Sequence, residues 1–98
     1  MEEEIHCTLM AGRHPGMPEL CVYPDAEWHV SADGLHALEE AAQAFTDEYA
    51  TAKLVVYITG FTPALTSLMK VCAADSIELD VMHYDRESGS YVRQRVLS

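Results

Sequence analysis

The sequence predicts an α/β fold: a small Rossmann-like domain with a mostly parallel sheet of 4-5 strands, two main helices and a C-terminal antiparallel hairpin. Three observations predict it. An apolar, β-branched run, Leu54-Val-Val-Tyr-Ile58, meets Thr59-Gly60 and passes at once into a helical pattern. Strand-like and helix-like segments alternate along the chain, which implies parallel pairing through right-handed crossovers. The last two strand-like runs are separated only by a short Gly-containing turn, the mark of a hairpin. The 98 residues make one domain, near the low end of what a single hydrophobic core supports. Whether its layers number two or three stays open at this point.

Ile5-His-Cys-Thr-Leu-Met-Ala11 reads as the first strand, apolar enough on both faces to lie inside the sheet. Gly12-Arg-His-Pro-Gly16 follows, a loop with two glycines and a proline that no regular element would carry. Glu19 to Tyr23 is a short strand or an extended segment, ended by Pro24, and Asp25 to Ser31 is a loop holding the only tryptophan, Trp28. From Ala32 or Asp33 to Tyr49 the apolar residues Leu35, Leu38, Ala42, Phe45 and Tyr49 recur at three- and four-residue steps, giving a helix with one apolar face. Ser31 is placed to cap it, and Asp33 complements the helix dipole. Glu39, Glu40, Gln43, Asp47 and Glu48 form its solvent side, with His36 on the flank.

Leu54 to Ile58 is the central strand. After it, Gly60 lets the backbone turn without a Cβ over the next helix, Thr62 is expected as N-cap, and Pro63 suits the first helical position. On this second helix Leu65, Leu68, Met69 and Cys72 make the buried stripe, with Thr66, Ser67 and Lys70 outside it. Ile77 to Tyr84 is a strand with Ile77, Leu79 and Val81 on one face. Asp85 to Ser90 turns, with glycine at a left-handed position, and Tyr91 to Leu97 pairs back. There Val92, Gln94 and Val96 alternate with Tyr91, Arg93, Arg95 and Leu97, a pattern that suits an edge strand guarded by arginines.

Composition narrows the function. Sixteen acids against six basic residues give a net charge of −10, which argues against duplex DNA or long RNA as a partner. A small phosphorylated ligand needs only a helix terminus and two or three cations, so it stays open. No apolar run approaches the ~20 residues of a membrane span, and Met1-Glu-Glu-Glu is the reverse of a signal peptide. A cytoplasmic protein with no membrane partner is expected. Cys7, Cys21 and Cys72 are odd in number and widely spaced, so reduced thiols are expected. No P-loop, no G-x-S-x-G elbow, no G-x-G-x-x-G and no metal-ligand spacing occur, so neither a cofactor nor a metal is expected.

In a parallel sheet, ligands bind outside the carboxyl ends of the strands. Three segments should meet there: Gly12 to Gly16, Thr59 to Thr62, and His83 to Arg86. Gly12, Thr59, Gly60 and Thr62 would offer amides and hydroxyls to a phosphate, and Arg13 and Arg86 bidentate guanidiniums. His14 and His83 are the candidates for proton transfer, as imidazoles titrate near neutral pH. Asp80 with Asp85 or Glu87 is a weaker candidate, as a carboxylate pair. Ser67 and Thr66 have no paired base, but cleavage by a substrate's own 2′-hydroxyl would need none.

Val56-Tyr-Ile-Thr-Gly-Phe-Thr-Pro-Ala-Leu-Thr-Ser-Leu68 resembles the strand–Thr-Gly-Gly-Thr-Lys–helix signature of the CRISPR-associated Rossmann-fold (CARF) sensor domains. Thr59, Gly60 and Thr62 carry the match. Phe61 stands where the family has its second glycine, and Pro63 where it often has lysine. The resemblance implies a homodimer that binds a cyclic oligoadenylate in antiviral defence. Some of those domains, and unrelated small ring nucleases, also cleave the ring without metal, so the resemblance leaves open whether the ligand is only bound or also cut. The competing expectation is a non-catalytic adaptor or inhibitor whose acidic helix face docks on a basic protein.

Overall fold

The computed structural model describes residues 3–10, 16–24, 28–49, 53–59 and 61–98. Their order is β1 (Glu4–Met10), β2 (Cys21–Tyr23), α1 (Ala32–Tyr49), β3 (Lys53–Tyr57), α2 (Thr62–Ala74), β4 (Leu79–Asp85) and β5 (Ser90–Leu97). The strands form one sheet in the order β2-β1-β3-β4-β5, parallel throughout except for the antiparallel β4–β5 hairpin. The α/β class, the mostly parallel sheet, the two helices and the hairpin are those read from the sequence.

The connections decide the layering. From β2 the chain crosses β1 to reach β3, and from β3 it moves on in the same direction to β4. Two right-handed crossovers in one direction put both helices on one face of the sheet. There α1 and α2 pack against each other. The β1-to-β2 connection runs the opposite way, and a helix in it would lie on the second face; among the described residues that face carries none. The described residues therefore form two layers.

Parallel register brings like positions together. Ile5, Leu54 and Leu79 stand side by side across three strands, as do Cys7, Val56 and Val81. Cys7, Leu9, Leu54, Val56 and Leu79 then pack with Leu38, Ala42 and Phe45 of α1 and with Ala64, Leu68, Val71 and Cys72 of α2. Each fully buried large side chain contributes roughly 1.5–3 kcal/mol. The Tyr23 hydroxyl, wholly buried, donates to the Ala64 carbonyl at 3.0 Å, and its ring meets Trp28 edge to face at 5.6 Å. Burial pushes the Cys7 thiol up to about 12 and Cys72 to about 11, which keeps both in the unreactive form. The radius of gyration, 12.9 Å, is that of a compact domain of this length. Among the described residues no helix is long and apolar enough to cross a membrane.

Several local expectations shift. Ser31 caps α1 as expected, its Oγ accepting from the Gly34 N–H at 3.0 Å. Gly34 itself is required, since a Cβ there would lie 1.9 Å from the His29 carbonyl oxygen. Leu35, expected in the apolar face, is 37 % exposed, because burial along α1 begins one turn later at Leu38. The cap of α2 is Phe61 and not Thr62. A tight turn, Phe61 N–H to Thr59 carbonyl at 2.8 Å, presents the Phe61 carbonyl to the Ala64 N–H at 3.1 Å, so the helix begins one residue early. Ser67, expected outside the stripe, is buried, because α2 packs on α1 as well as on the sheet and its buried arc is wider.

In the hairpin, Leu97 opposes Leu79 while Arg95 opposes Asp80, so Val96 is an extra, bulged residue. The bulge reverses the alternation, and both Val96 and Leu97 pack against the core. Gly89 takes the expected left-handed conformation (φ 68°). The expected carboxylate pair does not form. Asp85 caps the turn, its carboxylate accepting from the Glu87 N–H and the Ser88 hydroxyl, whereas Asp80 is matched by cations.

Candidate functional site

All the parallel strands deliver their carboxyl ends to one edge, and the order reverses between β1 and β3, where the connections leave in opposite directions. Such a switch point leaves a crevice. A cleft of about 340 Å³ lies at this edge. Leu9 of β1, Ile58 and Thr59 after β3, Phe61, Thr62 and Leu65 at the start of α2, and His83, Tyr84 and Arg86 from the end of β4 line it.

Four of the residues singled out in the sequence are therefore brought together: Thr59, Thr62, His83 and Arg86. Gly12, Arg13, His14 and Gly60 lie outside the described residues. The sequence reading missed the apolar wall, above all Phe61 and Tyr84. Phe61 stands between the two threonines and was legible as a departure from a phosphate loop, not as a surface for an aromatic group.

The electrostatics of the cleft are distinctive in this chain. Its net charge is −10, yet none of the cleft's described lining residues is acidic. Arg86 is exposed on the turn at one end. His83 Nε2 lies 2.8 Å from Gln94 Oε1. The contact fixes the orientation of the imidazole ring, with either partner able to donate according to tautomer and amide orientation. The helix start adds less than its position suggests. Pro63 has no N–H, and the Ala64 N–H is held by the Phe61 carbonyl, so the first turn offers an anion fewer amides than usual and Arg86 and the threonine hydroxyls become the main contacts open to it. Among the described residues no group of three or more His, Cys, Asp and Glu could hold a metal.

A second polar cluster occupies the helix-free face. Arg93 of β5 grips Glu4 of β1 (Nη2–Oε2 2.7 Å, Nη1–Oε1 3.4 Å) and donates through Nε to Asp80 Oδ2 at 2.7 Å. Lys53 Nζ approaches the same oxygen at 3.0 Å. Hydrogen bonding from Arg93 holds the Glu4 carboxyl below its usual range. Burial alone would push Asp80 up, but the Arg93 and Lys53 contacts outweigh it and hold it down. Beside this quartet runs a row of rings: Tyr84–Tyr91 at 5.3 Å, Tyr91–Tyr57 at 4.9 Å and Tyr57–His6 at 6.0 Å. Tyr84 belongs both to the row and to the cleft.

No family model, characterised protein or solved structure matches this chain.

Proposed function

We propose that the cleft binds a small phosphoester of the nucleotide class in the cytoplasm, with a cyclic oligonucleotide messenger as the first candidate. The observation that carries this reading is an acid-free cleft at the switch point of an otherwise strongly acidic α/β chain. Arg86 supplies the bidentate, charge-assisted contact to phosphate, and the Thr59 and Thr62 hydroxyls supply neutral donors. Phe61, Leu65 and Tyr84 supply the apolar and aromatic wall that a base requires. The volume is at the small end of ligand sites, ~300–1,000 Å³, and suits one nucleotide unit. His83, its ring held by Gln94, is the proton-transfer group for attack by a ligand's own 2′-hydroxyl, so turnover of any compound that binds is the second readout.

The test is thermal melting with cyclic di-, tri-, tetra- and hexanucleotides and mononucleotides. A ligand at about 100 times its Kd stabilises by about 2.7 kcal/mol, several degrees for a domain of this size. Arg86→Ala should weaken binding roughly tenfold to a hundredfold, the worth of a hydrogen bond to a charged group, while the free variant melts near wild type. No shift with any compound overturns the reading.

One observation favours a second reading. Asp33, Glu40, Asp47 and Glu48 are all exposed on α1, and its last turn carries no basic residue. An adaptor or inhibitor would dock through that face. Charge reversal at Glu40 and Asp47 should then abolish capture of a basic protein partner and leave nucleotide binding intact.

A further inference from the structure

The two edges of the sheet are built differently. At one edge β2 is three residues long and stands between Pro18 and Pro24, so it offers little backbone to a further strand. At the other edge β5 is eight residues long and pairs only with β4. Every second residue of such a strand turns its N–H and C=O away from its neighbour. Among the described residues those outward groups of β5 have no backbone partner. The middle of the strand, from Val92 to Arg95, is exposed, with Val92 at 56 %.

Charge also changes sign here. β5 contains two arginines and no acid, in a chain of net charge −10. Arg95 stands directly opposite Asp80 of β4. Asp80, however, is held by Lys53 at 3.0 Å and by Arg93 at 2.7 Å, and Arg93 holds Glu4 as well. Two acids are thus matched by two bases. Arg95 is the cation left over, exposed and without an ion pair among the described residues.

We infer that β5 is a docking edge that takes an extended acidic peptide as a sixth strand, its carboxylates beside Arg95 and Arg93 and its apolar side chains beside Val92. This site is separate from the cleft and does not rest on the nucleotide reading.

The arginines choose this occupant over a second copy. The registers that pair nearly the whole of β5 with its own copy set Arg93 opposite Arg93, or Arg93 opposite Arg95. Like charges directly opposite destabilise a strand pair. An acidic strand instead brings the carboxylate that Arg95 lacks. Successive side chains of a strand face opposite ways, so acids at every second position meet the arginines and the residues between them lie beside Val92. Main-chain bonds to the open edge then supply the affinity, and the alternating side chains the selectivity. The exposed acids of α1 are no obstacle, because they lie in the helix layer, across the sheet from Arg93 and its partners.

The probe is a peptide of eight residues, the length of β5, with blocked ends and glutamate alternating with valine and threonine. Its control carries lysine in place of every glutamate. Amide hydrogen exchange is followed by NMR on the whole chain. With the acidic peptide at about ten times its Kd, alternate amides of Ser90–Leu97 should slow by about tenfold. The lysine peptide should bind about fivefold more weakly or worse, and Arg95→Glu should weaken the acidic peptide by about fivefold and favour the lysine one. Arg95 is exposed, so that variant should melt near wild type. N-methylation of every second peptide amide should abolish binding in one phase and spare it in the other, because only alternate residues face β5.

Equal binding of the two peptides overturns the inference, as does equal loss in both methylation phases. Slowed exchange that falls on α1 and not on β5 overturns it as well. Protection of β5 that rises with protein concentration alone, with a doubled mass in light scattering, gives the edge to a second copy and overturns it too. No slowing at millimolar peptide, in the wild-type chain, overturns it outright. None of these outcomes touches the cleft, which is tested by nucleotides alone.

Discussion

A carboxylate removed from water is costly unless it is matched, and Asp80, 3 % exposed, is matched twice at one oxygen. Its Oδ1 is buried without a hydrogen-bond partner among the described residues, so the two cations on Oδ2 carry the whole compensation. Removing the carboxylate leaves the Lys53 ammonium buried beside a guanidinium. Asp80→Ala should therefore cost about 3 kcal/mol, the range for breaking a buried pair. For a domain of this size that lowers Tm by roughly 10 °C or more, read by a melting curve. Neither residue was legible from the sequence in this role. Lys53 carried no sequence signal of a role, and Asp80 stood out only as half of a candidate carboxylate pair with Asp85 or Glu87. Only sheet order makes them neighbours, and sheet order is not a local property of the chain. Thr59, Thr62, His83 and Arg86 were legible because a parallel sheet gathers its strand ends whatever the order of its strands.

The ends of the elements show where local reading works. Ser31 and Gly89 were read correctly, because a side-chain cap and a left-handed turn are each set within three or four residues. Thr62 was misplaced, because its helix is capped by a backbone turn that any residue could make. Leu97 changed faces through a bulge, and a bulge belongs to the pair of strands, not to either one. The far end of α2 carries a feature with a direct test. Ser76 holds φ 56° and closes the helix, with the Ile77 N–H on the Cys72 carbonyl at 2.9 Å and its own N–H on Ala73 at 3.4 Å. This is the Schellman arrangement, in which glycine is the usual residue at the left-handed position. A side chain there costs roughly 1 kcal/mol. Ser76→Gly should recover about that much and raise Tm by several degrees, partly offset by glycine's greater freedom when unfolded. A melting temperature unchanged or lowered would refute it.

For the molecule as a whole, two crossovers in one direction concentrate the apolar core on one side of the sheet and leave the other side to charge and rings. That division predicts how the fold answers acid. Glu4 and Asp80 both have carboxyls held lower in the fold than their ordinary values of 4.5 and 3.8. Their contribution is complete above those ordinary values and is lost as pH falls through the lower, folded ones. Denaturation midpoints should hold between pH 7 and about 5 and drop below about 4, more steeply in the wild type than in Arg93→Ala. Equal slopes would remove the quartet from the account of acid stability. Arg93 and Glu4 are also 89 residues apart in sequence and three strand spacings apart in space. Arg93 can meet Asp80 within the hairpin, but its bridge to Glu4 closes only after β1, β3, β4 and β5 are aligned. An interaction absent from the folding transition state leaves the folding rate alone and acts on the unfolding rate. A bridge that closes so late should be a latch in time, lengthening the life of the native state once formed and leaving the speed of reaching it unchanged.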